Sequence, residues 1–446
     1  MDEPRIERAL RDGPPFRTAY VQRPIALNSE AGPRASRLLA FAILGVVAVA
    51  AVSGAALVGS GVIKPPALPV LPRSTASPPA SSHEPQPAGW TWAATGNLRE
   101  ARAGNTLTLL TDGTILAAGG RSNRGDLLDA EVYDPRTASW TVTGSMRYVR
   151  VGHSATLLPD GTVLVTGGFD CNASEPPGCV GQAFSELYDP RTGIWTETGS
   201  MLQARGGHTA TLLADGRVLV AGGEVGPNEP DRLVLSSAEL YDPRTGAWTE
   251  TASMGLARIG HTATLLWDGT VLVVGGSTGA GTDGPTSAEV YDPRTGSWTP
   301  TARMNRGSAG HTATLLQDGT VLVAGGEGLS RVELYDPRAG SWTTTGSMSG
   351  DRYGHTATML PSGEVLVVGG AYGRADHFHL DTTELYDPST RSWLPGPPLI
   401  DPRKAHAAAL LSDGRVIVVG GTKTVTADGW VWTRSAELYG PAREDD

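Results

Sequence analysis

The sequence predicts an all-β protein, a seven-bladed β-propeller closed by an N-terminal strand and preceded by a transmembrane helix and a proline-rich stalk. Three observations carry that expectation. A seventeen-residue phrase recurs as "GHSATLLPDGTVLVTGG" (152–168), "GHTATLLADGRVLVAGG" (207–223), "GHTATLLWDGTVLVVGG" (260–276) and "GHTATLLQDGTVLVAGG" (310–326). Glycine pairs begin at Gly119, Gly167, Gly222, Gly275, Gly325, Gly369 and Gly420, at spacings of 48, 55, 53, 50, 44 and 51 residues, a period that signals a repeat architecture. The last unit ends without a fourth strand, while "GWTWAATGNL" (89–98) stands alone at the other end of the repeats.

The chain reads in order as a tail (1–37), an apolar span (38–63), a linker (64–88), the propeller (89–441) and a short C-terminal tail (442–446). From Leu38 to Ile63 there is no charge, and at ~1.5 Å per residue a helix of this length exceeds a bilayer core of about 30 Å. Arg34 and Arg37 precede it and Lys64 follows, so the positive-inside rule puts the N-terminus in the cytoplasm and the propeller outside the plasma membrane. A cleaved signal peptide is the alternative, although its apolar core would run to only about 7–15 residues. The Pro/Ser/Ala-rich linker stays extended because it cannot bury a core.

Each repeat reads as four short strands. The "HTATLL" strand turns at an Asp-Gly such as Asp268-Gly269 into "TVLVV", a strong hairpin signal. "AEVYDP" follows, then a "PRTG" turn and "SWTPT". Val271, Leu272, Val273 and Val274 show no alternation, so their strand must be covered on both faces, as radially packed sheets would do. The closing glycines leave room for a bulky side chain, for which the repeated Tyr (Tyr291 in this unit) and Trp (Trp298) are the candidates. If Trp92 supplies the missing fourth strand, the ring closes and no edge stays exposed; a monomer is expected.

Glycine (58) and proline (32) are abundant, and charged residues are 18%, which suits tight turns. A net charge of −10 argues against a nucleic-acid partner, since phosphate recognition needs clustered Lys and Arg. The Ala/Arg/Gly-rich composition fits a high-GC bacterium. The two cysteines, Cys171 and Cys179, share one polar loop. They read as a disulfide, worth about 2–3 kcal/mol by loop closure; as a metal site they are an incomplete set.

In this strand order the short first-to-second and third-to-fourth turns share one face. The other face carries the second-to-third loops, which range from five residues (327–331) to sixteen (169–184). Binding specificity is expected on that variable face. A residue found in nearly every unit reads as structural, and one that breaks the series is a better functional candidate. His153, His208, His261, His311, His355 and His406 open six first strands, with Asn105 in the seventh; their six directions suit backbone support better than a metal. Arg102, Arg150, Arg205, Arg258, Arg352 and Arg403 recur three residues upstream of that position, and a glutamate precedes each third-strand Tyr. Arg–Glu pairing is one account; an arginine-lined mouth for an anionic ligand is the other. Ser308 breaks the series, leaving Glu333 without its arginine. Among irregular features, Trp430 and Trp432 could stack on sugars or anchor a protein. His377 and His379, beside Asp376 and Asp381, are weak metal candidates lacking a third ligand.

A glycine pair, then Tyr, then Trp, at about fifty residues resembles the kelch repeat of seven-bladed propellers. "HSATLLPDGTVLVTGG" is especially similar to the propeller of galactose oxidase-like proteins. The resemblance covers Gly89 to about Pro441 and implies a fold; one fold carries many activities. The copper radical enzymes of that group place a Tyr directly before a first-strand His and bond another Tyr to a Cys. Here Gly152, Gly207, Gly260, Gly310, Gly354 or Ala405 holds that place, and Tyr353 is one position early, so no cofactor is expected. The leading expectation is a cell-surface, membrane-anchored, non-catalytic module that binds protein or glycan. A divergent carbohydrate-active enzyme, an oxidase or epimerase, is the alternative.

Overall fold

The computed structural model describes residues 89–172, 178–226, 233–279, 284–373, 378–426 and 429–442, without the side chains of 424–430. The tail, the apolar span and the linker lie outside the described residues, as do His377, Asp376, the Trp430 side chain and 443–446. Among the described residues no helix is long and apolar enough to cross a membrane.

Seven four-stranded antiparallel sheets make up the fold. Their innermost strands, which number the blades one to seven, are Thr106–Leu109, Ser154–Leu157, Thr209–Leu212, Thr262–Leu265, Thr312–Leu315, Thr356–Met359 and Ala407–Leu410. Each lies beside the next, and Ala407–Leu410 lies beside Thr106–Leu109, so the circle is complete. Blade seven is finished by Trp90–Ala94, which pairs with Ala436–Pro441 in the register Trp92↔Tyr439. The lone N-terminal strand therefore closes the ring as the sequence implied.

Blade four shows how a repeat folds. Leu265 and Val271 are partners across the first hairpin, where Asp268 Oδ1 accepts the Thr270 backbone N–H at 3.0 Å. Val271, Leu272, Val273 and Val274 are all fully buried. Val271 and Val273 pack with Leu219 and Ala221 of blade three, and Leu272 and Val274 with Val321 and Val323 of blade five. This two-sided burial explains the unbroken apolar run, at about 1.5–3 kcal/mol for each such side chain.

The glycine pairs serve a different neighbour from the one expected. A Cβ on Gly275 would lie 2.5 Å from the Ser308 carbonyl oxygen and 2.7 Å from His311 Cε1. The room is for the next blade's histidine and backbone, and Tyr and Trp do not fill it. Tyr291 instead faces its cross-strand partner Trp298, ring centroids 5.0 Å apart, and shares a 2.8 Å hydrogen bond with Thr251 of blade three. Trp298 Nε1 donates to the Ala252 carbonyl at 2.8 Å.

Candidate functional site: the variable face

Backbone bridges place the variable loops. Ile259, before the first strand of blade four, bridges to Ser277, just past the glycine pair; Val151 bridges to Phe169 and Lys404 to Thr422 in the same way. The fourth-to-first connections and second-to-third loops therefore share one face. Several loops there rise as small hairpins, among them Phe169–Asp170 with Val180–Gly181, and Ala371–Tyr372 with Phe378–His379.

The arginines lie beneath this face and do not line an open mouth. Arg102, Arg150, Arg205, Arg258, Arg352 and Arg403 are all at most 1% exposed. Arg258 is representative: Nη1 donates to the carbonyls of Gly275 and Ser287, both at 3.0 Å, and Nη2 to Ser287 Oγ and Glu289 Oε1, both at 2.9 Å. Glu289 Oε2 accepts the Gly255 N–H at 2.6 Å, which fixes the chain as it enters the blade. Arg150, Arg205, Arg352 and Arg403 pair with Glu186, Glu239, Glu384 and Glu437. Burial lowers the Arg258 pKa and Glu289 opposes it. With every guanidinium enclosed, an anion at the surface meets none of them directly.

The histidines form an inner circle of sealed contacts. Nε2 of each shares a hydrogen bond with a hydroxyl of the preceding blade: His153 with Thr106 at 3.1 Å, His208 with Ser154 at 2.9 Å, and so on to His406 with Thr356 at 2.9 Å. Burial, reinforced by the nearby arginine, pushes His153, His261 and His355 down to about 3, and burial brings His311 to about 4. These imidazoles are neutral at physiological pH, and their nitrogens are spread around the ring toward hydroxyls.

The disulfide Cys171–Cys179 is present. Its base is tied to blade one: Asn172 Oδ1 accepts the Asp126 N–H at 2.9 Å, Asn172 Nδ2 donates to the Asp126 carbonyl at 3.1 Å, and the Cys171 N–H donates to Asp126 Oδ2. Burial raises the Asp126 pKa to about 6, against the pull of Arg121, whose Nη1 is 3.3 Å away. This interblade tie has no signature in the repeat pattern.

Trp432 is half-buried, in a hairpin where it pairs with Thr422. Burial, then the charge of Lys404, lowers the His379 pKa to about 4. No group of three or more His, Cys, Asp or Glu able to hold a metal occurs among the described residues. Two stacked aromatic pairs at the surface escaped the sequence reading. Tyr148 and Phe184 stack at 4.2 Å with planes 9° apart, and Tyr372 and Phe378 at 5.0 Å with planes 16° apart. Phe184 is 42% and Phe378 56% exposed. Tyr148 and Phe184 lie on different segments, and Tyr372 and Phe378 face each other across one loop hairpin outside the repeated strands, so periodicity could not reveal them.

A closed ring of seven four-stranded sheets, with its turns on one face and its variable loops on the other, defines a β-propeller. The Kelch motif model matches residues 105–147, 205–255 and 260–305, and the chain is a kelch-repeat β-propeller. Kelch-like protein 36 of Bos taurus is 27% identical over 187 residues, 42% of this chain and 29% of that protein. Kelch-like protein 34 of Homo sapiens is 35% identical over 100 residues, 22% of this chain and 15% of that protein. Galactose oxidase of Gibberella zeae is 40% identical over 60 residues, 14% and 8% of the two chains. This chain therefore spans under a third of the length of these relatives. A solved fungal alcohol oxidase in complex with copper superposes with a TM-score of 0.59 at 19% identity, over 80% of this chain and 78% of that one; these values show the shared fold. The residues here do not fit a copper radical centre. Both cysteines are consumed by one disulfide, and the strand-opening histidines turn Nε2 to hydroxyls.

Proposed function

We propose that the chain is a non-catalytic binding module that engages a protein through its variable face, held at the outer surface of the plasma membrane by Leu38–Ile63. The observation that carries this reading is the two stacked aromatic pairs, Tyr148–Phe184 and Tyr372–Phe378, in which Phe184, Tyr372 and Phe378 are exposed and Tyr148 is half-buried. Rigid aromatic side chains bury large area at low entropic cost, and they dominate binding hot spots. The kelch-like relatives support the same class. The test is to crosslink the full-length chain on intact cells and compare wild type with Phe184→Ser/Phe378→Ser. A partner band lost in the variant supports the reading, and one that persists undiminished refutes it. Protease added to intact cells should remove the propeller if the anchor faces as proposed.

Glycan recognition is the second reading, favoured by the same aromatic faces, on which sugar rings can stack. Glycan-array binding that disappears with Trp432→Ala or Phe378→Ser would select it. Stoichiometric copper with oxidase turnover in purified protein would favour the enzyme alternative over both.

A further inference from the structure

Blade five keeps the acceptors of a guanidinium site and lacks the arginine. In the six regular corners the arginine reaches the carbonyl of the first paired glycine and the buried glutamate, as Arg258 does with Gly275 and Glu289. At the blade-five corner Ser308 stands in that position, and its Oγ reaches only the Gly325 carbonyl, at 2.7 Å. Glu333 is 6% exposed and accepts on Oε2 alone, from the Asn305 N–H at 3.0 Å and Asn305 Nδ2 at 2.8 Å. Its Oε1, the counterpart of the oxygen that takes Arg258 Nη2, has no hydrogen-bond donor among the described residues. Arg306 is exposed and makes no ion pair with Glu333 among them.

A cleft of about 240 Å³ opens at this corner. Gly307 and Ala309, which flank Ser308, line it together with Arg306, Glu327, Leu329 and Asn305, the residue hydrogen-bonded to Glu333. The space far exceeds one water's share of about 30 Å³ and can admit the end of a long side chain. We infer that this cleft is a binding site for a guanidinium group, which enters between blades four and five and takes the position that an internal arginine holds in the other corners. The chemistry is that of the regular corners supplied in trans: a planar, charged donor fork meets a carboxylate and backbone carbonyls. Gly325 O has a second lone pair and can accept a donor beside Ser308 Oγ. The guanidinium comes from a free arginine-type molecule or from an arginine of a partner protein. Only the second source rests on the binding-module reading above.

Calorimetric titration of the full-length chain with L-argininamide and L-citrullinamide tests the inference, since the two differ little in shape and the second carries a neutral head. Argininamide is expected to bind, with citrullinamide weaker by about tenfold or more. Ser308→Arg should abolish binding while raising the melting temperature, because it returns the internal guanidinium. Glu333→Gln should weaken binding in a chain that still melts cooperatively. Equal binding of the two amides, or undiminished binding by Ser308→Arg, overturns the proposal. Preference for an end-capped Gly-Arg-Gly peptide over free L-arginine assigns the source to a partner chain, and the reverse preference assigns it to the free molecule. Loss of argininamide binding with the crosslinked partner retained would reject this site without touching the broader reading.

Discussion

The joint between blades six and seven and the joint between blades seven and one occupy equivalent places and are built differently. At the first, Thr356 Oγ1 and His406 Nε2 share a 2.9 Å hydrogen bond. At the second, Ala407 stands where the hydroxyl would be and Asn105 where the histidine would be. Both partners of the bond change together, and Asn105 is left with neither side-chain amide atom hydrogen-bonded, at 1% exposure. Gly420 still takes its place against the incoming backbone, close to the Arg102 carbonyl. The difference teaches that the histidine circle is a fastening between blades: one joint can omit it, and the ring still closes by backbone fit and by the Trp90–Ala94 strand.

The largest expected effect is acid sensitivity of the six fastened joints. The unfolded imidazole titrates near ~6.5, whereas the folded values fall to about 3 or 4 where they are resolved numerically. The folded values are depressed, so the unfolded chain binds more protons in this window. Their stabilisation is complete above pH ~6.5 and is lost as pH falls through the window toward the folded values. Each histidine then contributes a slope of ~1.4 kcal/mol per pH unit. Denaturant midpoints between pH 7 and 4.5 should fall steeply, and replacing one histidine by glutamine should reduce the slope by about one proton's worth. A flat profile would mean the imidazoles are not sealed.

Next in size is the contrast between corners. Arg258→Ala strands Glu289 in the interior and should cost about 3–5 kcal/mol, whereas Ser308→Ala removes one neutral hydrogen bond, about 0.5–1.5 kcal/mol. Equal losses in urea unfolding would erase the distinction between regular and irregular corners. The odd joint can be converted. Asn105→His alone gains no hydroxyl partner; combined with Ala407→Thr it should show a favourable coupling of about 1 kcal/mol in a double-mutant cycle, and additivity would show that the joint differs by more than these two residues. Smallest is a backbone effect. Arg391 adopts φ 55° and Gly296, at the same turn of blade four, φ 66°. Arg391→Gly should stabilise by at most ~1 kcal/mol, because the left-handed region penalises a Cβ, as a small rise in melting temperature would register.

Much of the architecture was legible. Val271–Val274 had to be covered on two sides, and the missing fourth strand after Tyr439 pointed to Trp92, because strand count and apolar pattern are local properties. The use of each recurring polar residue was less legible. The spacing exposed both the Arg–Glu series and the gap at Ser308. It did not distinguish a buried corner from an open mouth, since that depends on which atoms the neighbouring loop covers. The glycine pairs were read as room for Tyr or Trp, when the group they admit is the next blade's histidine, about 35 residues further along.

Repetition in the sequence by itself determined the number of blades, the strand order and which loops vary, because each repeat must bury the same faces against its neighbours. Only the tertiary structure decided that the arginines are enclosed, that the histidines bond across joints, that Asp126 ties down the disulfide loop, and that Tyr148 meets Phe184. Those contacts join residues about 30 to 55 positions apart through the angle between adjacent sheets, and that angle becomes definite only when the ring is closed.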